Sequence, residues 1–459
     1  MLVSDAPPEL YARMRRELTL PNPRYKPGDQ RSLGMSPTID LWRDTPDGLL
    51  VPRHYWSSDF APYGRRRREP VDAGDFEHKV LWTPRPDQLP TIAALQALHP
   101  QQDVGIRMPC GSGKTFVSLN EAARQRGRIL VTAPMANKLN EWHGAVQSIM
   151  GLDPSRIGRV QADKRDWRDK PVTLCMLKTL SMQDFEPEFL NGFGVVIWDE
   201  VHLAPPPFLG RALGRVSGKQ IALSATPGSG VSLRILHLHL GSQWISSQVK
   251  RRPMRAVIVH LTVPSRYRDM TMDQLVNRLG NDPSYLNYAA SVTRVLMDQG
   301  RRVLVLHRVI QPLLEVHRRL DLKGGFVVGA DSILWLADQS TKVRSDLTRF
   351  IGPKSKAPDF YMADVKASAN PILATGLTRT QPGGTGMDVE NLDAGVIMLP
   401  VGGTDLVEQI KGRLDREHPG KQDPVMVVLA PKAKASTHVA AAMKRHLERL
   451  GVPVEERDA

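Results

Sequence analysis

At 459 residues the chain is too long for one ordinary core and has room for about three domains of roughly 150 residues each. Lys plus Arg, 62, exceed Asp plus Glu, 48, giving a net charge of +14 and a pI near 9.8, which points to a polyanionic partner, nucleic acid before an anionic membrane. With 41% hydrophobic residues, 24% charged ones and only Cys110 and Cys175 as cysteines, the composition excludes a disordered or fibrous chain and a disulfide framework, and suits a reducing compartment.

Residues 1–78 are rich in Pro, Arg and aromatics and show no long helical periodicity. Short alternations at Thr38–Trp42 and Gly48–Val51 predict a small β-rich or α+β accessory domain, expected to bind DNA, that ends in the basic run Arg65–Arg68. Met1–Asp5 has no basic segment leading into an apolar one, so a signal peptide is not expected. No apolar run reaches the roughly 18–20 residues of a membrane span, so a soluble cytoplasmic protein, of a bacterial or phage-infected host cell, is the expectation.

From about residue 79 short β-branched runs alternate with helical stretches. Strands are predicted at Gly105–Met108, Arg128–Thr132, Val172–Leu177, Gly194–Trp198 and Gln220–Ser224, with helices at Lys114–Gln125 and Asn137–Met150. Such alternation predicts a parallel sheet covered on both faces. A linker near Gly241–Arg252 precedes a second round of the same pattern, with strands at Arg255–Thr262, Arg302–His307, Gly325–Gly329, Ile372–Thr375, Gly395–Leu399 and Val425–Leu429. Its helices are predicted at Pro283–Asp298, Gln311–Leu320 and Asp405–Arg416, and a basic helix, Ala435–Leu450, closes the chain. The predicted division is therefore 1–78, 79–244, 245–434 and a tail, 435–459.

Met108-Pro109-Cys110-Gly111-Ser112-Gly113-Lys114-Thr115 follows a predicted strand and opens a predicted helix, the context of a phosphate-binding loop. Gly111, Ser112 and Gly113 let the backbone approach phosphate oxygens, Lys114 reaches the β- and γ-phosphates, and Thr115 offers its hydroxyl to Mg²⁺. Met108 stands where the strict pattern has glycine. Eighty-five positions after Lys114, the apolar run Val195–Trp198 ends in Asp199-Glu200-Val201-His202. Ligands gather at the carboxyl ends of parallel strands, so Asp199 is expected in the Mg²⁺ shell and Glu200 as the group that orients and deprotonates the attacking water.

Asp199–His202 resembles the DExH motif of superfamily 2 helicases, phage-type and excision-repair-like, and other pieces fall in that family's order. Arg85-Pro86-Asp87-Gln88 is similar to the segment whose glutamine, here Gln88, reads the adenine edge. Ala133-Pro134 and Thr179-Leu180-Ser181 resemble motifs Ia and Ic, which touch the nucleic-acid backbone, and Ser224-Ala225-Thr226 resembles motif III. Gly384-Thr385-Gly386-Met387-Asp388 resembles motif V, and Gln409–Arg416 resembles motif VI, QxxGRxxR. The resemblance implies two tandem RecA-like domains behind the N-terminal domain, an α/β P-loop NTPase fold with ATP and Mg²⁺ as cofactors. It implies nucleotide contacts from Gly386, Asp388 and Gln409, an arginine finger at Arg413 with Arg416 beside it, and coupling through His202, Ser224 and Thr226. The expected function is an ATP-dependent helicase or translocase acting on DNA in preference to RNA, with replication, recombination or repair proteins as partners. An ATP-switched binding or motor subunit without unwinding activity, and an RNA helicase, stay open as alternatives. Trp82, Trp142, Trp167 and Trp244 and the pairs Arg251-Arg252 and Arg301-Arg302 are further candidates for the strand, and His237 and His239, in strand-like alternation, are expected to be structural.

Overall fold

Each of the two α/β stretches folds into an eight-stranded sheet, and the two sheets share one strand order. The computed structural model describes the chain apart from residues 24, 29–33, 56–58, 60–61, 66–72, 110, 202–205, 225–229, 248–250, 322–324, 329–332, 337–370, 376, 379–380, 383–390 and 419. It divides into two units, Met1–Val249 and Lys250–Ala459. Among the described residues no helix is long and apolar enough to cross a membrane.

The first unit opens with β1 (Leu2–Val3), α1 (Pro8–Leu18), β2 (Thr19–Pro21), β3 (Thr38–Asp40), β4 (Arg43–Thr45), β5 (Gly48–Leu50) and β6 (Gly64–Arg65). Strands β4-β5-β1-β6 make one small sheet and β2-β3 a ribbon. Then come α2 (Leu89–Gln96), β7 (Val104–Arg107), α3 (Lys114–Ala123), β8 (Ile129–Ala133), α4 (Ala136–Met150), β9 (Ile157–Gln161), β10 (Lys164–Asp166) and β11 (Val172–Met176). They are followed by α5 (Leu177–Met182), α6 (Pro187–Leu190), β12 (Val195–Trp198), α7 (Pro206–Leu213), β13 (Lys219–Ser224), α8 (Gly230–Leu240) and β14 (Trp244–Ser246). The large sheet runs β10-β9-β11-β8-β12-β13-β7-β14, parallel except for the edge hairpin β9–β10.

Its central strands are buried on both sides because their side chains alternate between two cores. Along β8, Leu130 enters one core, while Ile129 and Val131 enter the other. Helices α2, α3 and α4 cover the second face. The first face is covered by α5–α8 together with the N-terminal elements, whose Met14, Leu18, Leu20, Ile39, Leu41 and Leu49 share one core with Phe189, Leu213 and Ile235. The module expected over 1–78 shares the first unit's core, and it contains a helix, α1, which the α+β alternative allowed but which the sequence did not place. Gly210 makes one approach possible, since a Cβ there would lie 2.7 Å from Leu41 Cδ2. A second tie is polar. The buried Asp103 carboxylate accepts from Arg53 Nη1 at 3.2 Å and from the Gln220 backbone N–H at 2.8 Å, and lies 2.8 Å from His54 Nε2. Arg53 also donates to the carbonyls of Gly218 and Val216. The alternation at His237 and His239 belongs to a helix, α8, and not to a strand.

The second unit comprises β15 (Arg255–Leu261), α9 (Met272–Leu279), α10 (Pro283–Asp298), β16 (Val303–His307), α11 (Ile310–Leu320), β17 (Gly325–Val328), β18 (Ile333–Leu336), β19 (Ile372–Thr375), β20 (Leu377–Thr378), β21 (Gln381–Pro382) and β22 (Ala394–Ile397). It ends in α12 (Thr404–Leu414), β23 (Val425–Pro431), α13 (Lys434–Arg449) and β24 (Val454–Asp458). Its sheet runs β18-β17-β19-β16-β22-β23-β15-β24. Numbered by order of appearance, both large sheets read 4-3-5-2-6-7-1-8, each with an antiparallel hairpin at one edge. Thr271 and Gln274 form a reciprocal capping box that starts α9, and Asp282 caps α10.

Candidate active site

The loop between β7 and α3 takes its shape from two left-handed glycines, Gly111 at φ 77° and Gly113 at φ 86°. Gly113 is the N-cap of α3, so the helix presents its unpaired N–H groups along the loop. Any larger residue at Gly113 would collide with the Gln88 amide as well as strain the backbone. The loop is tied from several directions. Met108 donates its N–H to the Ser224 carbonyl at 3.2 Å, and Ser112 Oγ donates to Pro109 O at 2.6 Å. The Ser112 carbonyl accepts from Gln88 Nε2 at 3.2 Å and from Arg85 Nη2 at 2.9 Å. Gln88, buried, also accepts from the Arg85 N–H through Oε1, so both ends of its amide are engaged in holding the loop. Arg85 is itself held by Asp87.

Lys114 and the acidic pair meet because their strands lie close together: β12 and β7 flank β13. Lys114 Nζ donates to the Met108 carbonyl at 3.0 Å and stands 4.0 Å from Glu200 Oε1. Thr115, half-buried, sits in the first turn of α3. Glu200 has a left-handed backbone, φ 45°, uncommon for a residue with a Cβ and frequent at functional turns. Asp199 follows β12 with its N–H on the Thr132 carbonyl, and its Oδ2 accepts from Trp142 Nε1 at 2.9 Å. Burial pushes the Asp199 carboxyl above the ordinary carboxylate range, and the charge of Glu200 adds to this; Lys138, Trp142 and Lys114 oppose it. Burial pulls the Lys138 ammonium down, yet Glu141, Asp199 and Glu200 outweigh it and leave that pKa raised. Hard oxygen donors at Thr115 and Asp199 beside a loop of N–H groups suit Mg²⁺ with a polyphosphate.

Trp142 and Lys138 are the site neighbours that the sequence left unassigned. Trp142 entered only as one of four candidates for stacking; the structure buries its ring and aims its N–H at Asp199. Trp167 is also buried, whereas Trp82 is exposed. The motif Ic hydroxyls turn inward: Thr179 Oγ1 accepts from the Ala162 N–H at 3.1 Å, and Ser181 Oγ donates to Lys178 O at 3.0 Å. Ser224 ends β13, fully buried beside the loop.

In the second unit, Gln409 and Arg413 lie on α12, with Arg416 just beyond its end. Arg413 is 9% exposed. Between these arginines Asp415 is 1% exposed and is held by Lys411 Nζ at 2.6 Å and Arg251 Nη1 at 3.2 Å. Arg252 donates to the Lys421 carbonyl and Arg301 to the Asp423 carbonyl. These basic residues, candidates for the strand by sequence, make these bonds within the second unit. His202, Thr226, Gly386, Asp388 and Arg66–Arg68 lie outside the described residues.

Residues 81–229 match the family described as Type III restriction enzyme, res subunit, a span that contains the loop and the acidic pair. The chain is 23% identical to the probable helicase D10 of Escherichia phage T5 in an alignment covering 70% of this chain and 66% of that protein. It is 27% identical to the general transcription and DNA repair factor IIH helicase/translocase subunit XPB of Encephalitozoon cuniculi, over 26% of this chain and 20% of that one. It thus spans just under two thirds of the phage protein and a fifth of the XPB subunit. Among solved structures, Mss116p bound to ssRNA and AMP-PNP superposes with a TM-score of 0.54 at 14% identity, covering 82% of this chain and 74% of that chain. That likeness is one of fold, two RecA-like α/β domains in series.

Proposed function

We propose that this chain is a superfamily 2 helicase of phage and repair type, as its similarities suggest, and that it hydrolyses ATP to move along or remodel DNA. One observation carries the reading: Lys114 of a glycine-shaped loop stands 4.0 Å from Glu200, beside Asp199, at the carboxyl end of one parallel sheet. Lys114 and the N–H groups of α3 bind the β- and γ-phosphates. Thr115 and Asp199 would hold Mg²⁺, which supplies charge neutralisation on the phosphate oxygens. Glu200 orients a water molecule and takes its proton as the water oxygen attacks the γ-phosphorus and ADP departs. Arg413 and Arg416 are proposed to stabilise the charge that develops on the γ-phosphoryl oxygens, a task suited to a permanently charged, bidentate donor. Gln88, by its bonds to the loop, is given the role of setting the loop's shape before it meets adenine.

DNA is favoured by the DNA-repair subunit among the relatives, and the +14 charge suits a nucleic-acid partner. ATPase assays with single-stranded DNA, duplex DNA and RNA, with strand separation on forked duplexes, test the proposal. DNA-stimulated turnover is expected, with Lys114→Ala and Arg413→Ala each lowering it at least about 100-fold. Full turnover in either variant defeats the corresponding role. Binding of DNA that ignores ATP, with negligible hydrolysis, favours a non-unwinding subunit, and RNA-specific stimulation favours an RNA helicase.

A further inference from the structure

Trp142 stands apart from the residues assigned so far: a buried indole, on a helix outside the phosphate loop, bonds directly to a carboxylate of the site. Helix α4 begins just after Ala133-Pro134, the loop at the end of β8. Four positions apart on α4, and therefore on one face of it, Lys138 and Trp142 both act on the acidic pair. Trp142 Nε1 donates to Asp199 Oδ2 at 2.9 Å, with the ring 2% exposed. Lys138, whose side chain is 13% exposed, is bonded to Glu141 at 2.6 Å and lies within electrostatic reach of Asp199 and Glu200. The backbone repeats the connection, because Asp199 N–H bonds Thr132 O and Thr132 Oγ1 donates to Ile197 O, both across the β8–β12 pairing.

We infer that Trp142 is a positioning residue for the Asp199 carboxylate, and that α4 links the Ala133-Pro134 loop to the metal-binding end of the ATP site. This rests on the proposed role of Asp199. The indole N–H is a single donor, so it fixes one carboxylate oxygen, Oδ2, and does not engage the other. A residue that orients a ligating carboxylate in this way typically governs metal affinity by 10–100-fold. Because the donor is carried on α4, a shift of that helix moves the group that holds the carboxylate. Lys138 supplies the accompanying charge: it offsets the mutual repulsion of Asp199 and Glu200 from the same face of the same helix.

Trp142→Phe tests this, since it removes the donor and keeps an aromatic ring in the buried site. The half-saturating Mg²⁺ concentration for turnover is expected to rise about ten-fold, with KM for ATP at saturating Mg²⁺ changed less than two-fold. A readout independent of turnover is tryptophan fluorescence during titration of Mg²⁺ into the protein with saturating ADP. A metal-dependent change is expected in the parent protein and is expected to vanish in Trp142→Phe. Trp167→Phe, also a buried ring but bonded to no site residue, is expected to keep it. Unchanged half-saturation and an unchanged fluorescence response in Trp142→Phe overturn the inference. Lys114→Ala separates that failure from a failure of the site itself. If Lys114→Ala abolishes turnover while Trp142→Phe behaves as the parent, only the role of Trp142 falls. If Lys114→Ala turns over normally, the ATP site is misassigned and the inference falls with it.

Discussion

Lys219 and Glu121 show how firmly single residues hold the helix that follows the phosphate loop. Their side chains are 1% and 2% exposed, joined across the start of β13 and the back of α3, with Arg124 adding a 2.8 Å bond to Glu121. A buried ion pair adds little net stability, but removal of one partner strands the other in a medium that cannot solvate it. Lys219→Met is therefore expected to lower the first unit's unfolding free energy by about 3 kcal/mol, read from urea midpoints. The double variant Lys219→Met with Glu121→Gln should recover a good part of that loss. Lys114, Asp199 and Glu200 were legible in the sequence because motif chemistry is local: a glycine turn opening a helix and two acids ending an apolar strand. Trp142 was not, because its bond to Asp199 spans 57 positions and nothing in its neighbours marks a tryptophan that donates to a carboxylate.

At the scale of elements, the N-terminal module is a structural cover. Its apolar side chains lie in one core with α5–α8, so its deletion would expose Phe189, Leu213 and Ile235 to water, at about 25 cal/mol for each Å² uncovered. Removal of residues 1–78 is expected to give an aggregating first unit with a lowered thermal midpoint, measured by light scattering and circular dichroism; a soluble truncation of parent stability counts against the shared core. The central strands of both sheets were readable because burial on two faces demands continuous apolar runs, as in Val195–Trp198 and Val425–Pro431, whereas the outer strands β9, β10, β14, β18 and β24 were not placed. Helix α1 was hidden because only Met14 and Leu18 of its eleven residues are buried, too short a stripe to show a period. The reading of α8 as strand-like failed for a related reason. Leu236-His237-Leu238-His239-Leu240 alternates in polarity, but the helix buries Ile235, Leu236, His239 and Leu240, a stripe in which a histidine takes an interior place.

The molecule as a whole carries a shared response to acid. Burial, with Arg53, the chain's terminal ammonium and His54 adding to it, depresses His239 to about 3. Burial likewise depresses His307, at the end of β16, to about 4, partly opposed by its bond at Val309. Both are neutral when folded, while an unfolded histidine protonates near 6.5. The unfolded state therefore binds more protons below that value, so stability is full at neutral pH and falls as pH drops from about 6.5 toward 4. Each histidine should cost about 1.4 kcal/mol at pH 5.5. Urea midpoints at pH 7.5 and 5.5 measure the loss, and His239→Gln should flatten the slope of the first unit. The identical strand order of the two sheets has a different consequence. After the first strand of the second unit the chain reads Thr262-Val263-Pro264-Ser265, without glycine, and after its sixth strand Met398-Leu399-Pro400, without a carboxylate. The scaffold is present twice and the fuel port once. In the proposed motor the phosphate loop and the acidic pair are therefore supplied by one copy of the scaffold alone.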